Sequence, residues 1–170
     1  MAGTERPDSS RIIRPGPGRE SVWDYPRPPR VEDSTRHVRV LLGGVVIADS
    51  RRARRVCETS APPAWYLPPE DVHMELLTPI GRRTVCEFKG TASYYDVRAA
   101  DQFVGGAAWT YPNSSPGYEA IRDSVAFYPH RLECYVDGER VRSQEGRFYG
   151  GWITRDIVGP FKGGPGTENW

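Results

Sequence analysis

Lysine is nearly absent from this sequence, and no excess of positive charge takes its place. Lys89 and Lys162 are the two lysines of the chain, and 23 Lys and Arg residues are balanced by 22 Asp and Glu residues. A protein whose main partner is nucleic acid or an anionic membrane usually carries a clear basic excess. The composition therefore predicts no nucleic-acid partner and no membrane partner.

Long apolar segments are missing as well. No stretch approaches the ~18 apolar residues that a membrane-spanning helix needs. Residues 1–10 contain charged residues and proline where a secretory leader would be apolar. These features predict a cytoplasmic protein. A chain of 170 residues is long enough for one domain with a core, but too short for two ordinary domains.

The sequence offers few ligands for a metal ion or a disulfide framework. Cys57, Cys86 and Cys134 are odd in number and widely spaced, which predicts free, buried thiols in a reducing compartment. The three histidines are equally scattered. We therefore predict no metal site and no cofactor.

Short strand patterns follow one another through the middle of the chain. Two β-branched runs, residues 38–41 and 45–48, flank Gly43-Gly44, which predicts a two-residue hairpin turn. Asp137-Gly138 predicts a second hairpin. About eight to ten short strands of this kind indicate a mainly β protein.

Other segments are interpreted from their proline and glycine content. Residues 72–77 are predicted to form a strand that turns back at Pro79-Ile80-Gly81. Ser115-Pro116 precedes residues 118–124, which predicts one short helix there.

Composition divides the chain into three parts. Residues 1–35, rich in Pro and Arg, are predicted to be an N-terminal arm, in which Trp23 and Tyr25 act either as a clip that docks the arm or as a lid over a pocket. Residues 36–148 form the predicted β domain. The Gly- and Pro-rich residues 149–170 are predicted to be an irregular tail.

Five ordered blocks carry a resemblance to a known family. They are Gly43-Gly44-Val45-Val46-Ile47-Ala48-Asp49-Ser50, Cys57-Glu58-Thr59-Ser60, Trp65-Tyr66-Leu67-Pro68-Pro69-Glu70-Asp71-Val72, Lys89-Gly90-Thr91-Ala92-Ser93-Tyr94-Tyr95 and Val125-Ala126-Phe127-Tyr128-Pro129. Together they resemble the signature of the bacterial family called domain of unknown function number 427. The resemblance covers roughly residues 36–141, and the flanking arms are similar to those of longer, actinobacterial-type members.

The resemblance implies two antiparallel sheets that meet at a steep angle, similar to the β-tent domains that include the thalidomide-binding part of cereblon. Those relatives hold zinc on two Cys-x-x-Cys motifs. This sequence has no such motif, so we expect no structural zinc. For function, the resemblance implies a cleft between sheets lined by aromatic side chains, and fold analogy alone does not assign an activity.

Two charged residues in the family-like blocks are candidates for chemistry. Glu58, in a strand pattern, becomes a general acid or base if apolar surroundings raise its pKa; the alternative is an ion pair with an arginine. Lys89 is a candidate nucleophile or carboxylate anchor, and a salt bridge is the alternative.

Aromatic residues are concentrated in the middle strands. Tyr66, Tyr94, Tyr95, Trp109 and Tyr111 form either part of the core or a flat-walled pocket for a small planar or cationic ligand. Because consecutive strand residues face opposite sides, Tyr94 and Tyr95 cannot both line one pocket.

Three functions are consistent with these residues. The first is a small-molecule-binding β domain with an aromatic cleft. The second is an enzyme, a hydrolase or isomerase, that uses Glu58 as acid or base. The third is a protein-interaction module of the terminal arms. The ligand, the oligomeric state and the presence of any reaction stay open. The predicted ligand-binding residues are Glu58, Tyr66, Lys89, Tyr94, Trp109 and Tyr111.

Overall fold

The computed structural model describes residues 5–170, which form a mainly β protein as predicted. Strands account for 43% of the residues against 9% in helical turns. Every helical segment among the described residues is a single 3-10 turn, and none is long and apolar enough to cross a membrane. Residues 1–4 lie outside the described residues. They are the start of the predicted N-terminal arm and of residues 1–10, where a secretory leader would lie.

Fifteen strands are found along the described chain. They are β1 (Glu20–Ser21), β2 (Arg30–Asp33), β3 (Val38–Leu42), β4 (Val45–Ser50), β5 (Arg54–Cys57), β6 (Ala64–Tyr66), β7 (Leu77–Cys86), β8 (Gly90–Ala99), β9 (Gln102–Thr110), β10 (Val125–Phe127), β11 (Glu133–Val136), β12 (Glu139–Arg140), β13 (Arg142–Ser143), β14 (Trp152–Ile153) and β15 (Ile157–Val158).

Two four-stranded antiparallel sheets form the centre of the molecule, with strand orders β12-β11-β3-β4 and β10-β9-β8-β7. Both predicted hairpins are confirmed in the first of these sheets. Gly43 and Gly44 have φ values of 57° and 79°, and Asp137 and Gly138 have φ values of 49° and 81°. Positive φ at both central residues is what a type I′ hairpin turn requires.

The predicted turn at Pro79-Ile80-Gly81 is wrong, because β7 runs through it as one strand. Pro79 pairs with Tyr95 and Arg83 pairs with Ser93. Between these two pairs, β7 therefore has more residues than β8. The excess forms a bulge, which proline tolerates because it has no ladder hydrogen bond to lose there. The strand predicted over residues 72–77 is wrong as well, since Met74–Leu76 form a 3-10 turn.

The predicted short helix is a single 3-10 turn, Glu119–Ile121. It ends at once because Arg122 turns to ψ 131° and Asp123 takes a φ of 60°. The Asp123 backbone N–H donates to the carbonyl of Tyr111 at 3.3 Å. This contact directs the chain into β10 and prevents a longer helix.

Smaller sheets attach the N-terminal segment to the rest of the chain. β2 is the edge of the three-stranded sheet β2-β5-β6, and β1 pairs in parallel with β15. Trp23 and Trp170 make an edge contact with ring centroids 5.4 Å apart, and the indole N–H of Trp23 donates to the carbonyl of Pro160 at 2.8 Å. Trp23, Tyr25 and Trp170 are therefore buried in an apolar cluster of their own.

Alternation along the strands divides most of the remaining buried residues between two faces. In β6, Trp65 joins the main core between the sheets, whereas Tyr66 faces a second cluster. The strand β8 supplies Tyr94 to that second cluster, while Tyr95 packs against the main core. The prediction that Tyr94 and Tyr95 face different sides is confirmed.

Candidate functional site

The second cluster lies between the sheet β10-β9-β8-β7 and the three-stranded sheet β2-β5-β6. Val56 of β5 and Ala126 of β10 form part of its apolar surroundings. Its six large aromatic members are called the tyrosine cluster below. They are Tyr66, Tyr94, Trp109, Tyr111, Tyr118 and Tyr128.

Ring contacts connect four of the six members of the tyrosine cluster. Tyr66 contacts Trp109 at right angles and Tyr111 at a tilt, each with ring centroids 6.2 Å apart. Trp109 contacts Tyr128 at 4.6 Å. The indole N–H of Trp109 donates to the Tyr66 hydroxyl at 3.2 Å. Edge-on and tilted contacts of this kind are the favoured geometries for aromatic pairs.

Burial sets the protonation state of the tyrosines. Tyr66 is 1% exposed, and loss of hydration raises its pKa far above the usual value. Burial raises the pKa of Tyr111 and Tyr128 in the same way. The ammonium of Lys89 acts in the opposite direction on Tyr111, but its effect is smaller than that of burial. The phenols therefore remain neutral donors at physiological pH.

Lys89 lies at the edge of the tyrosine cluster. Its Nζ is 5.5 Å from the ring centroid of Tyr111 and 5.9 Å from that of Tyr66, within the range of cation–π attraction. The side chain is half-buried. Among residues 5–170, no carboxylate forms a salt bridge with it.

The backbone holds Lys89 in this place. The residue lies in the turn between β7 and β8, and its carbonyl accepts a hydrogen bond from the N–H of Ser115 at 2.9 Å. The next residue, Gly90, has a φ of 110°, and a Cβ there would lie 3.2 Å from the carbonyl of Asn113. Glycine is favoured because a side chain is strained at this φ and would crowd the Asn113 carbonyl.

Glu58 has a different environment. Its carboxylate accepts a hydrogen bond from the Nε of Arg27 at 3.3 Å, and Arg27 also donates to the carbonyl of Thr59 at 3.0 Å. The charge of Glu58 is felt at Tyr118, where it adds a small upward contribution to a pKa raised mainly by burial. Glu58 therefore lies near the tyrosine cluster but is paired with the N-terminal segment.

Two chain segments cover the tyrosine cluster. On one side, the Tyr118 hydroxyl donates to the carbonyl of Pro29 at 2.8 Å. On the other side, the Tyr128 hydroxyl donates to the carbonyl of Phe148 at 3.3 Å. A Cβ on Gly150 would lie 2.3 Å from Cη2 of Trp109, so this backbone packs directly on the indole.

Sequence comparison gives the chain its family. A family model described as a domain of unknown function (DUF427) matches residues 30–138. The chain belongs to this family. Comparison with curated proteins gives no match. The DUF427 region contains the whole tyrosine cluster together with Glu58 and Lys89, whereas Arg27 and Gly150 lie outside it.

The structure thus brings five of the six predicted residues into one place in the DUF427 region. Tyr66, Tyr94, Trp109 and Tyr111 are in contact within one cluster, and Lys89 lies on its edge. Within residues 5–170, no group of three His, Cys, Asp or Glu side chains is arranged to hold a metal ion.

Sequence reasoning missed two members of the tyrosine cluster. Tyr128 follows β10 and, two residues after Ala126, lies on the same face as Ala126. Ala126 pairs with Trp109, so the pairing of these strands was the signal that could have placed Tyr128 in the cluster. Tyr118 comes just before a 3-10 turn, where no strand period exists to predict its direction.

Proposed function

We propose that this protein binds a small organic anion at the Lys89 edge of the tyrosine cluster. The observation that carries the proposal is the Lys89 ammonium, which lies over two tyrosine rings and has no carboxylate partner within the described chain. A lysine in such a place is a charge receptor for the carboxylate or phosphate of a ligand.

The rest of the ligand is inferred from the neighbours of Lys89. The ring of Tyr111 is nearest to the ammonium, and aromatic faces bind flat apolar groups well. The chemistry expected is therefore a planar organic body with one anionic group. Neutral phenols nearby would donate hydrogen bonds to its polar edge.

Burial of the rings implies that a covering segment moves during binding. Tyr66 and Trp109 are 1% and 7% exposed, so a ligand that stacks on them displaces one cover. The segment that carries Gly150 and Phe148 is the better candidate, because the Phe148 side chain is 60% exposed and the hydrogen bond from Tyr128 to the Phe148 carbonyl is long, at 3.3 Å.

A pair of lysine variants tests the proposal. The chain has two lysines, and each lies over a tyrosine, Lys162 at 5.2 Å from the ring of Tyr149. Lys89→Met should weaken the binding of planar carboxylates by about 10- to 100-fold, because one charged hydrogen bond is removed. Lys162→Met is the matched control and should bind as the wild type does.

The measurement is ligand-observed NMR with a panel of planar carboxylic acids and their uncharged amides. Saturation transfer to an acid, but not to its amide, supports the proposal when Lys89→Met removes it. Equal binding of acid and amide, or unchanged binding by Lys89→Met, contradicts it. No binding of any acid by the wild type also counts against it.

An enzymatic role of Glu58 is a second hypothesis, supported by the effect of its charge on the pKa of Tyr118. Its ion pair with Arg27 must open before the carboxylate can accept a proton from a substrate. Glu58→Gln should then abolish turnover of any ligand that is consumed while the circular dichroism spectrum is unchanged. Persistent turnover in this variant would reject the hypothesis.

The third hypothesis, a protein-interaction module of the arms, needs other residues than Trp23, Tyr25 and Trp170, because these three are buried against one another. Phe148 and Tyr149 are exposed and in contact at 4.9 Å.

We place the proposed function in the cytoplasm, where free Cys57, Cys86 and Cys134 remain reduced.

A further inference from the structure

A second place in the molecule has the features of a ligand site. It is a cavity of about 280 Å³ at the end of the sheet β12-β11-β3-β4, next to the start of β9. None of the tyrosine cluster lines it. Its polar lining residues are Gln102, His130, Arg131, Glu133 and Arg140.

His130 is a half-buried member of this lining. Its Nδ1 is buried and has no hydrogen-bond partner among residues 5–170, although buried polar atoms are nearly always paired. Burial lowers the pKa of His130, and the charges of Arg131 and Arg147 add to that effect. The ring is therefore neutral near pH 7 and has one N–H to donate.

The charged residues of the cavity favour an anion. Arg131 and Arg140 contribute two positive charges against one negative charge from Glu133. Arg140 reaches Glu133 only at 3.8 Å, and Arg131 forms no salt bridge within the described chain. Guanidinium groups bind the oxygens of phosphate and carboxylate through paired hydrogen bonds.

The backbone around Gly43 shapes the cavity from the other side. A Cβ on Gly43 would lie 3.0 Å from the amide nitrogen of Gln102. The Gln102 amide, a second neutral donor, therefore lies against the hairpin turn that follows β3.

We propose that this cavity binds a small oxyanion, a phosphate or carboxylate group, between Arg131, Arg140 and His130. The volume is near the lower limit of small-molecule pockets, so the ligand is either a free anion or the anionic end of a larger molecule. The site is separate from the Lys89 edge, and this proposal does not depend on the function proposed above.

The test is a titration of the full-length protein with inorganic phosphate and, in parallel, with acetate at constant ionic strength and pH. NMR of protein labelled with nitrogen-15 in histidine follows the rings of His37, His73 and His130, the three histidines of the chain. The His130 signals should shift and saturate, while those of His37 and His73 stay in place. Saturation by phosphate alone assigns a phosphate site, and saturation by acetate alone assigns a carboxylate site.

Arginine variants supply the control. Arg131→Gln and Arg140→Gln should each raise the dissociation constant by about tenfold or more. Arg142→Gln, which changes an exposed arginine outside the cavity, should leave the constant unchanged. A His130 shift that never saturates with either anion, or equal affinity of the Arg131 and Arg142 variants, overturns the proposal.

Discussion

Gly150 is the position at which the cover of the tyrosine cluster can be tested by one methyl group. Ala at this position would place Cβ 2.3 Å from Cη2 and 2.7 Å from Cζ3 of Trp109, and 3.2 Å from Cδ1 of Tyr128. The indole is 7% exposed, so it has little room to move away. Overpacking of a filled site costs about 1–3 kcal/mol. We expect Gly150→Ala to lower the free energy of unfolding by that amount, with a melting temperature about 2–12 °C lower.

Gly81→Ala is the matched control for this prediction. Gly81 has no atom within 4 Å of an added Cβ and is not in the left-handed region. Both substitutions stiffen the unfolded chain by the same amount, so the difference between the two variants measures the clash alone. Urea unfolding followed by circular dichroism gives both free energies. If Gly150→Ala is as stable as Gly81→Ala, the segment around Gly150 does not press on Trp109 and is not the cover described above.

Two further predictions concern thiols and acid stability. Ellman's reagent should label Cys86 first, because it is half-buried, whereas Cys134 is buried and burial raises the pKa of Cys57 to about 11; equal rates for all three thiols would contradict this. Hydrogen bonds from Arg52 hold the pKa of Asp71 below its usual value, so this pair stabilises the fold above about pH 4 and the contribution is lost as pH falls further. In Asp71→Asn, the free energy of unfolding should fall less than in the wild type as the pH is lowered. An unchanged acid transition would show that the pair contributes nothing.

Local sequence was enough to predict the parts of the fold that local geometry controls. Gly43-Gly44 and Asp137-Gly138 take positive φ at adjacent residues at little cost, and adjacent positive φ values are typical of a hairpin turn. Pro79-Ile80-Gly81 has the composition of a turn, but its outcome depends on pairing with Tyr95 across the sheet. Such pairing cannot be deduced from the segment itself.

In the candidate site, too, some features follow from local sequence and others depend on distant parts of the chain. Strand alternation separates Tyr94 from Tyr95 and Trp65 from Tyr66, as a period of two requires. The position of Lys89 over the Tyr66 and Tyr111 rings depends on contacts between distant parts of the chain, which no local pattern encodes. Sequence reasoning also missed Tyr128, which completes the cluster through its contact with Trp109.

The parallel pairing of β1 with β15 has a consequence for synthesis on the ribosome. Glu20 pairs with Ile157, and the Trp23 indole finds its acceptor on Pro160, 137 residues later. The first strand therefore leaves the exit tunnel long before its partner is translated, and Trp23 lacks its hydrogen-bond acceptor during that interval. Contacts of such sequence separation form late and slow folding. Nascent chains stalled before residue 157 should accordingly be open to proteases and chaperones at residues 20–25.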